Sequence, residues 1–272
     1  MDKLKEIIKH KREHLKQQMS IKSIEQYKDT TYYNRETISL KQRLSIVDDP
    51  GIIAEFKRQS PSKGKINLSN SQLINVTKNY QNAGAAAISV LTDKKYFGGS
   101  NEDILSIRDQ IDIPILRKEF IIDAYQIHEA KAIGADVILL IAAVLTKKDS
   151  QTLCNIAKSL NLEVLFEVHD KSEIKKIPNN VDVVGVNNRD LKVFKVDFSF
   201  SKKIINHLPN DVLKISESGI SNIDTINDLS AIGYNGFLIG ETFMKTEEPG
   251  KTCKQFIANC KKQSLWLLKF VV

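Results

Sequence analysis

The sequence predicts a (β/α)8 barrel with an N-terminal helical extension, and three observations carry that prediction. Eight short β-rich runs follow one another from residue 52 onward, starting about 26 residues apart, which is the length of one strand-and-helix unit. Amphipathic helical patterns separate them. Many of the runs are almost wholly apolar, as parallel strands covered on both faces must be. Eight such units either form an open doubly wound sheet or close on themselves. No GxGxxG or GxxxxGK(S/T) follows any run, so the phosphate loops of nucleotide-binding open sheets are missing and the closed barrel is favoured.

The elements follow in order. Leu4, Ile7, Ile8, Lys11 and Leu15 make an i, i+3, i+4 stripe with basic residues opposite, so the chain opens on a helix that covers something apolar. A second short helix is expected over Ile38–Val47 and ends at the breaker DDPG. The strands are expected at 52–56, 86–91, 114–120, 136–144, 163–168, 183–188, 213–218 and 236–241. One intervening helix carries Leu153, Ile156, Ala157 and Leu160, and another carries Ile223, Ile226 and Leu229. Gly84, Gly134 and Gly233 stand where helices end before strands. The division expected is an extension over 1–50, a barrel over 51–262 and a tail over 263–272.

Composition narrows the function classes. A chain of 272 residues, 42% hydrophobic and 27% charged, with 12 Gly and 6 Pro, has ordinary globular usage and enough length for a large core. The net charge of +7 invites a nucleic-acid reading, but the excess sits at the two ends. Residues 1–18 carry a net +3 and residues 251–272 a net +5, which leaves the body slightly acidic. Solvated terminal helices explain that pattern better than a binding stripe. Cys154, Cys253 and Cys260 form no CxxC and no even disulfide set, so a reducing compartment is expected. Neither DVILLIAAVL nor LWLLKFVV approaches the ~20 apolar residues that span a bilayer. MDKLKEIIKHKREH lacks the apolar stretch of a secretory signal. A cytoplasmic protein is expected, with no membrane and no nucleic-acid partner, as a monomer or weak homodimer.

The informative signal is charge at the ends of strands. Glu55 and Lys57 are two apart and share the inward face of the first strand with Ile53. Lys118 ends PILRKEF, Glu167 ends EVLFEV, Asn187 and Arg189 share a face in VNNRDL, and Glu217 with Ser218 ends the seventh strand. Five of eight strands thus deliver polar groups to the end where barrels keep their sites. Lys and Glu are seldom buried unpaired, so these groups form either a structural salt-bridge network or a catalytic cluster. Gly219 and Gly240 open the loops after the seventh and eighth strands, the place where this fold binds phosphate with backbone N–H groups. His169 lies one step beyond Glu167. With no GxSxG elbow for a nucleophile, it reads as a loop-capping or supporting histidine. His10, His14, His128 and His207 have no ligand spacing, and no metal site is expected.

Seven motifs occur in order: EFKRQSPSKGKI, SVLTDKKYFGGS, LRKEFIID, LFEVH, GVNNRDL, ISESGI and FLIGETFM. Together with the basic KHKREHLKQQ helix ahead of them, they resemble the indole-3-glycerol-phosphate synthase family over about residues 3–258. The resemblance implies a TIM barrel with a helical segment packed over its mouth. It also implies conversion of 1-(2-carboxyphenylamino)-1-deoxyribulose 5-phosphate to indole-3-glycerol phosphate, CO2 and water in tryptophan synthesis, without cofactor or metal. Gln59 departs from the small residue common at its position, and CKKQSLWLLKFVV has no counterpart in the family.

The residues suit that chemistry. An electrophilic ketone needs a proton or a positive charge where alkoxide develops. Lys118 is the expected general acid, with its pKa lowered by Lys57 nearby. The resemblance gives Lys57 a hold on the substrate's carboxylate or phosphate and a proton for dehydration. Glu167 is the expected base or acid of dehydration, and Glu55 positions a lysine or a substrate hydroxyl. Asn187 and Arg189 orient the ribulose hydroxyls and carboxylate. Ser60, Glu217, Ser218, Gly219, Gly240 and Glu241 line the carboxylate and phosphate ends, and Phe97 and Phe120 wall the aryl ring. Two rival enzymes on the same scaffold are a Schiff-base phosphosugar aldolase and a phosphoribosylanthranilate isomerase. The isomerase would need an Asp/Cys pair at strand ends, whereas Cys154 falls mid-helix. A basic binding module is the non-enzymatic rival, and it predicts salt-sensitive binding.

Overall fold

A computed structural model describes residues 3–47, 49–60, 64–66, 73–189 and 195–268. Asp48 of the DDPG breaker, part of the SPSKGK stretch, Asp190 and Leu191 of GVNNRDL, and the end of the expected tail lie outside them. The chain opens with α1 (Lys3–Ile21), α2 (Ile24–Lys28) and α3 (Leu40–Leu44). Eight barrel strands follow, besides a short antiparallel hairpin of Gln59–Ser60 with Gly64–Lys65: β1 (Ile52–Phe56), β2 (Ala87–Leu91), β3 (Ile115–Lys118), β4 (Val137–Ile141), β5 (Glu163–Val168), β6 (Val183–Asn187), β7 (Leu213–Glu217) and β8 (Gly236–Ile239). Each is parallel to its neighbours in sequence, and β8 pairs back onto β1 to close the barrel.

The outer layer comes from α4 (Leu73–Asn82), α5 (Lys94–Phe97), α6 (Asn101–Arg108), α7 (Ala124–Ala132), α8 (Lys147–Ser159), α9 (Phe198–Ile204), α10 (Ile223–Ala231), α11 (Glu241–Met244) and α12 (Pro249–Leu268). Helix α12 runs through residue 263, where the tail was expected to begin. Capping side chains start these helices: Asp123 with Gln126 boxes α7, Thr146 caps α8 and Asn222 caps α10. Gly84, Gly134 and Gly233 sit at φ of 89°, 89° and 109°, the left-handed turn that ends a helix and that a Cβ disfavours. The link from β5 to β6 departs from the expected pattern. A 3₁₀ helix over Lys171–Lys176 stands there, because Pro178 two residues on leaves no room for further α turns.

Two apolar layers hold the fold. One lies between the sheet and its helices. The other fills the barrel with Ile53, Leu116, Val137, Leu139, Leu165, Val183, Ile215 and Leu238, joined by Leu40 and Leu44 of α3. The extension therefore serves both ends of the barrel. Leu44 plugs the end where the strands begin, its Cδ2 lying against Gly51 and Gly236. At the opposite end α1 is pinned across the mouth by Lys11, which is buried and bonds Asp93 at 2.8 Å and Glu119 at 2.9 Å. Those partners stand beside the loops that carry Phe97 and Phe120. Cys154, Cys253 and Cys260 are buried and form no disulfide among the described residues.

Candidate active site

Strand alternation explains why charge converges at the mouth. Glu55, Lys118, Glu167 and Glu217 each stand two residues beyond an inward apolar side chain, namely Ile53, Leu116, Leu165 and Ile215. They enter a cavity of about 640 Å³ at the C-terminal ends of the strands. Every residue expected at the site lines it: Glu55, Lys57, Ser60, Phe97, Lys118, Phe120, Glu167, Asn187, Arg189, Glu217, Ser218, Gly219, Gly240 and Glu241. Residues that sequence reasoning missed include Lys3, Leu4 and Ile7 of α1 and Lys245 after α11. The α1 stripe signalled burial for Leu4 and Ile7, but nothing in it said against what.

The charges are paired. Lys118 Nζ bonds Glu217 Oε2 and lies 3.2 Å from Glu167 Oε2. Lys57 Nζ bonds Glu55 Oε1 at 2.6 Å. Arg189 Nη2 lies 3.4 Å from Glu241 Oε2, and its backbone N–H donates to Asn187 Oδ1 at 2.9 Å. Phe97 and Phe120 face one another across 6.2 Å between ring centroids. Ser218 and Gly219 are both left-handed, at φ of 72° and 77°, so a tight turn forms the cavity rim after β7. A non-glycine residue held there is a strain signature that clusters at ligand-binding loops.

Electrostatics correct one expectation. Lys57 was expected to lower the pKa of Lys118. Burial does push the Lys118 ammonium down, but Glu217, Glu167 and Glu55 outweigh it and the net shift is upward. Lys57 is not among the main influences on Lys118, and its own ammonium is paired with Glu55. Burial alone would raise Glu167, yet Lys118 and then His169 hold it well below the usual carboxylate range. Glu217 goes the other way: burial raises it, and the like charge of Glu167 adds to that against the pull of Lys118. Two carboxylates thus share one ammonium and titrate as a pair. Among the described residues no group of three His, Cys, Asp or Glu side chains is arranged to hold a metal ion, and no helix is long and apolar enough to cross a membrane.

Comparison with known proteins now decides the family. The model of the indole-3-glycerol phosphate synthase family matches residues 4–256. The chain belongs to the indole-3-glycerol phosphate synthase family. An indole-3-glycerol phosphate synthase of Bacteroides thetaiotaomicron is 45% identical over 256 residues, covering 94% of this chain and 98% of the relative. The enzyme of that name from Acidithiobacillus ferrooxidans is 38% identical over 253 residues, covering 92% and 96%. Solved structures share the fold at low identity. A chain of the tryptophan synthase complex of Pyrococcus furiosus aligns with a TM-score of 0.55 at 16% identity, covering 78% of this chain and 98% of that one. Thiamine phosphate pyrophosphorylase from the same organism aligns at 0.57 and 14%, covering 83% and 98%. Indole-3-glycerol phosphate synthases are carboxy-lyases of tryptophan biosynthesis, which gives the reaction class of this chain.

Proposed function

We propose that this cavity closes the indole ring of 1-(2-carboxyphenylamino)-1-deoxyribulose 5-phosphate with Lys118 as general acid and Glu167 as the dehydration base. One observation supports the reading above all others: Lys118 is held between Glu167 and Glu217 on the floor of the cavity. Its raised pKa keeps it an ammonium, so it carries the proton that the ketone oxygen needs as the aryl carbon attacks. The alkoxide formed is basic enough to take a proton even from a stabilised ammonium. CO2 then leaves the aryl carbon and restores the ring. Proton donation also removes the larger of the two cationic influences that depress Glu167, so the basicity of Glu167 rises at the moment a proton must be accepted. That coupling favours the base role over the acid role. Lys57, steered by Glu55, supplies the proton that lets the hydroxyl depart as water.

Substrate recognition follows the cavity lining. Ser218, Gly219 and Gly240 take the phosphate, with Glu241 contributing its backbone N–H. Asn187, Arg189 and Ser60 take the hydroxyls and the carboxylate. Phe97 and Phe120 wall the aryl ring, and α1 closes the mouth. A Schiff-base aldolase reading is disfavoured, because it needs a neutral amine where Lys118 is held charged. We place the enzyme in the cytoplasm as a monomer or weak homodimer without nucleic acid. The exposure of Lys5, Lys9, Arg12 and Lys16 on the outer face of α1 supports a solvated helix there. Incubation with the substrate, without added metal, is expected to produce the rise of indole fluorescence. Lys118→Ala and Glu167→Gln are each expected to lose about 10²–10⁴-fold in kcat while remaining folded. No product from the wild-type chain would overturn the reading, and wild-type turnover in either variant would remove that residue from it.

A further inference from the structure

Behind Glu167, on the side away from Lys118, sits a largely enclosed histidine that the mechanism above does not use. The His169 side chain is 10% exposed and does not line the cavity. Its Nε2 lies 3.1 Å from Glu167 Oε1, and its Nδ1 lies 3.8 Å from Glu173 Oε2. The His169 backbone N–H donates to the same Glu173 oxygen at 2.7 Å, which pins the 3₁₀ helix against the end of β5. Each ring nitrogen thus faces a carboxylate oxygen, Nε2 more closely than Nδ1. The groups facing Glu167 are Lys118 from β3, Glu217 from β7 and His169 from its own segment. Those facing His169 are Glu167 and Glu173, while Lys176 turns its ammonium onto the Ala142 carbonyl at the end of β4.

We infer that His169 is a positioning residue: as an imidazolium clamped between Glu167 and Glu173, it fixes the orientation of Glu167 and keeps it ionised from behind. The inference rests on the reading of Glu167 as the dehydration base. Two carboxylates around one imidazole favour its charged form, and against the opposing effect of burial its pKa is pushed up to about 10. Glu167 thereby lies between two cations. When Lys118 gives up its proton, His169 remains, so Glu167 stays ionised against the like charge of Glu217 until the dehydration step delivers its proton.

The test reads the acid limb of the kcat–pH profile, which reports the essential base in the substrate complex. Replacing the cation with a neutral side chain raises the pKa of Glu167. In His169→Gln and His169→Asn the acid limb is therefore expected to move upward by about one pH unit. At the pH plateau most of kcat should return, with KM little changed. A second measurement uses the folded wild-type protein. Only 5 histidines are present, so ¹⁵N NMR resolves each. His169 is expected to be an imidazolium at pH 8 and to lose that state at lower pH in Glu167→Gln. A neutral His169 at pH 7 in the wild type overturns the inference. So does a kcat that falls equally at every pH, or a limb that superimposes on the wild type. An active Glu167→Gln removes Glu167 from the reaction and this inference with it. An inactive Glu167→Gln beside an unmoved limb in the His169 variants overturns this inference alone.

Discussion

Gly185 tests the site without replacing a charged residue. It lies on β6 facing inward, and a Cβ built there would come 2.0 Å from Glu217 Oε1 and 3.1 Å from Leu165 Cδ1. A carbon–oxygen contact settles at about 3.3 Å, so in Gly185→Ala the Glu217 carboxylate must retreat by about 1.3 Å. Lys118 is bonded to that carboxylate and has Glu167 on its other side, so the ammonium moves with it. Misplacement on the order of 1 Å costs about 10²-fold in rate, and that is the loss of kcat expected. The stability cost is smaller. Overpacking costs about 1–3 kcal/mol. The removal of a strand glycine returns about 0.5–1 kcal/mol of it. The assay is indole formation under saturating substrate, alongside the thermal midpoint. A double-mutant cycle identifies the route: added to Glu217→Gln, the alanine should cost far less than it does in the wild type, since the group it displaces has lost its charge. A Gly185→Ala protein with near-wild-type kcat would refute the claim that the Glu217 carboxylate sets the position of Lys118.

Two stability predictions probe the scaffold. Lys11→Met leaves Asp93 and Glu119 buried without their cation. At about 3–5 kcal/mol for breaking a buried pair and about 2–4 °C per kcal/mol at this size, the midpoint should fall on the order of 10 °C. Burial pulls the pKa of Lys11 down, but Glu119 and Asp93 carry it above the ordinary lysine value. Its stabilisation is therefore complete below about pH 10.4, the unfolded value, and fades as pH rises through the folded one. The gap between wild type and Lys11→Met in thermal scans should narrow above that pH. Asp136, fully buried, takes Arg108 at 2.6 Å, the Ile38 and Ile115 N–H groups at 2.8 Å each, and Arg35, which ties the extension to the barrel. Asp136→Asn should lower the urea midpoint by a loss of about 3–5 kcal/mol, while kcat per folded molecule stays unchanged.

What the sequence reveals and what it hides divide along a physical line. Strand positions depend on local alternation, and all eight runs became strands, two with the expected bounds and six with an end trimmed by one to three residues. Inward charge was legible for the same reason, since Glu55 sits two residues from Ile53. Partners are another matter. Lys118 and Glu217 are 99 residues apart, and no local pattern says which carboxylate reaches which ammonium across a barrel. The expected direction of the Lys118 shift failed for that reason: the sequence does not show that Glu55 takes Lys57 while Glu217 and Glu167 take Lys118. Lys11 read as one more position of an apolar stripe, and only the fold supplies Asp93 and Glu119. Helix α3 spans five residues, too few for periodicity to show that its leucines plug a barrel end.

The layering of the barrel explains why so many charges tolerate so little water. Glu55, Lys118, Glu167 and Glu217 come from β1, β3, β5 and β7, the alternate strands that feed one layer of such a barrel. The layer beneath comes from the other four strands, whose Leu139 and Leu238 line the cavity, and under it Ile53, Leu116, Leu165 and Ile215 are fully buried. A charge standing on that floor has solvent on one side at most, so an unpaired ammonium there would lose several kcal/mol of hydration. The carboxylates supply what water does not. The arrangement also limits how the site can respond to substrate. Any group that draws Lys118 away from Glu217 leaves a buried carboxylate that must find a proton, and the raised pKa of Glu217 shows it is the member of the pair disposed to take one. Proton uptake should therefore accompany binding of a substrate that engages Lys118. Calorimetry in buffers of different ionisation enthalpy would register it at neutral pH, and binding with no buffer dependence would show that Lys118 keeps its Glu217 contact throughout.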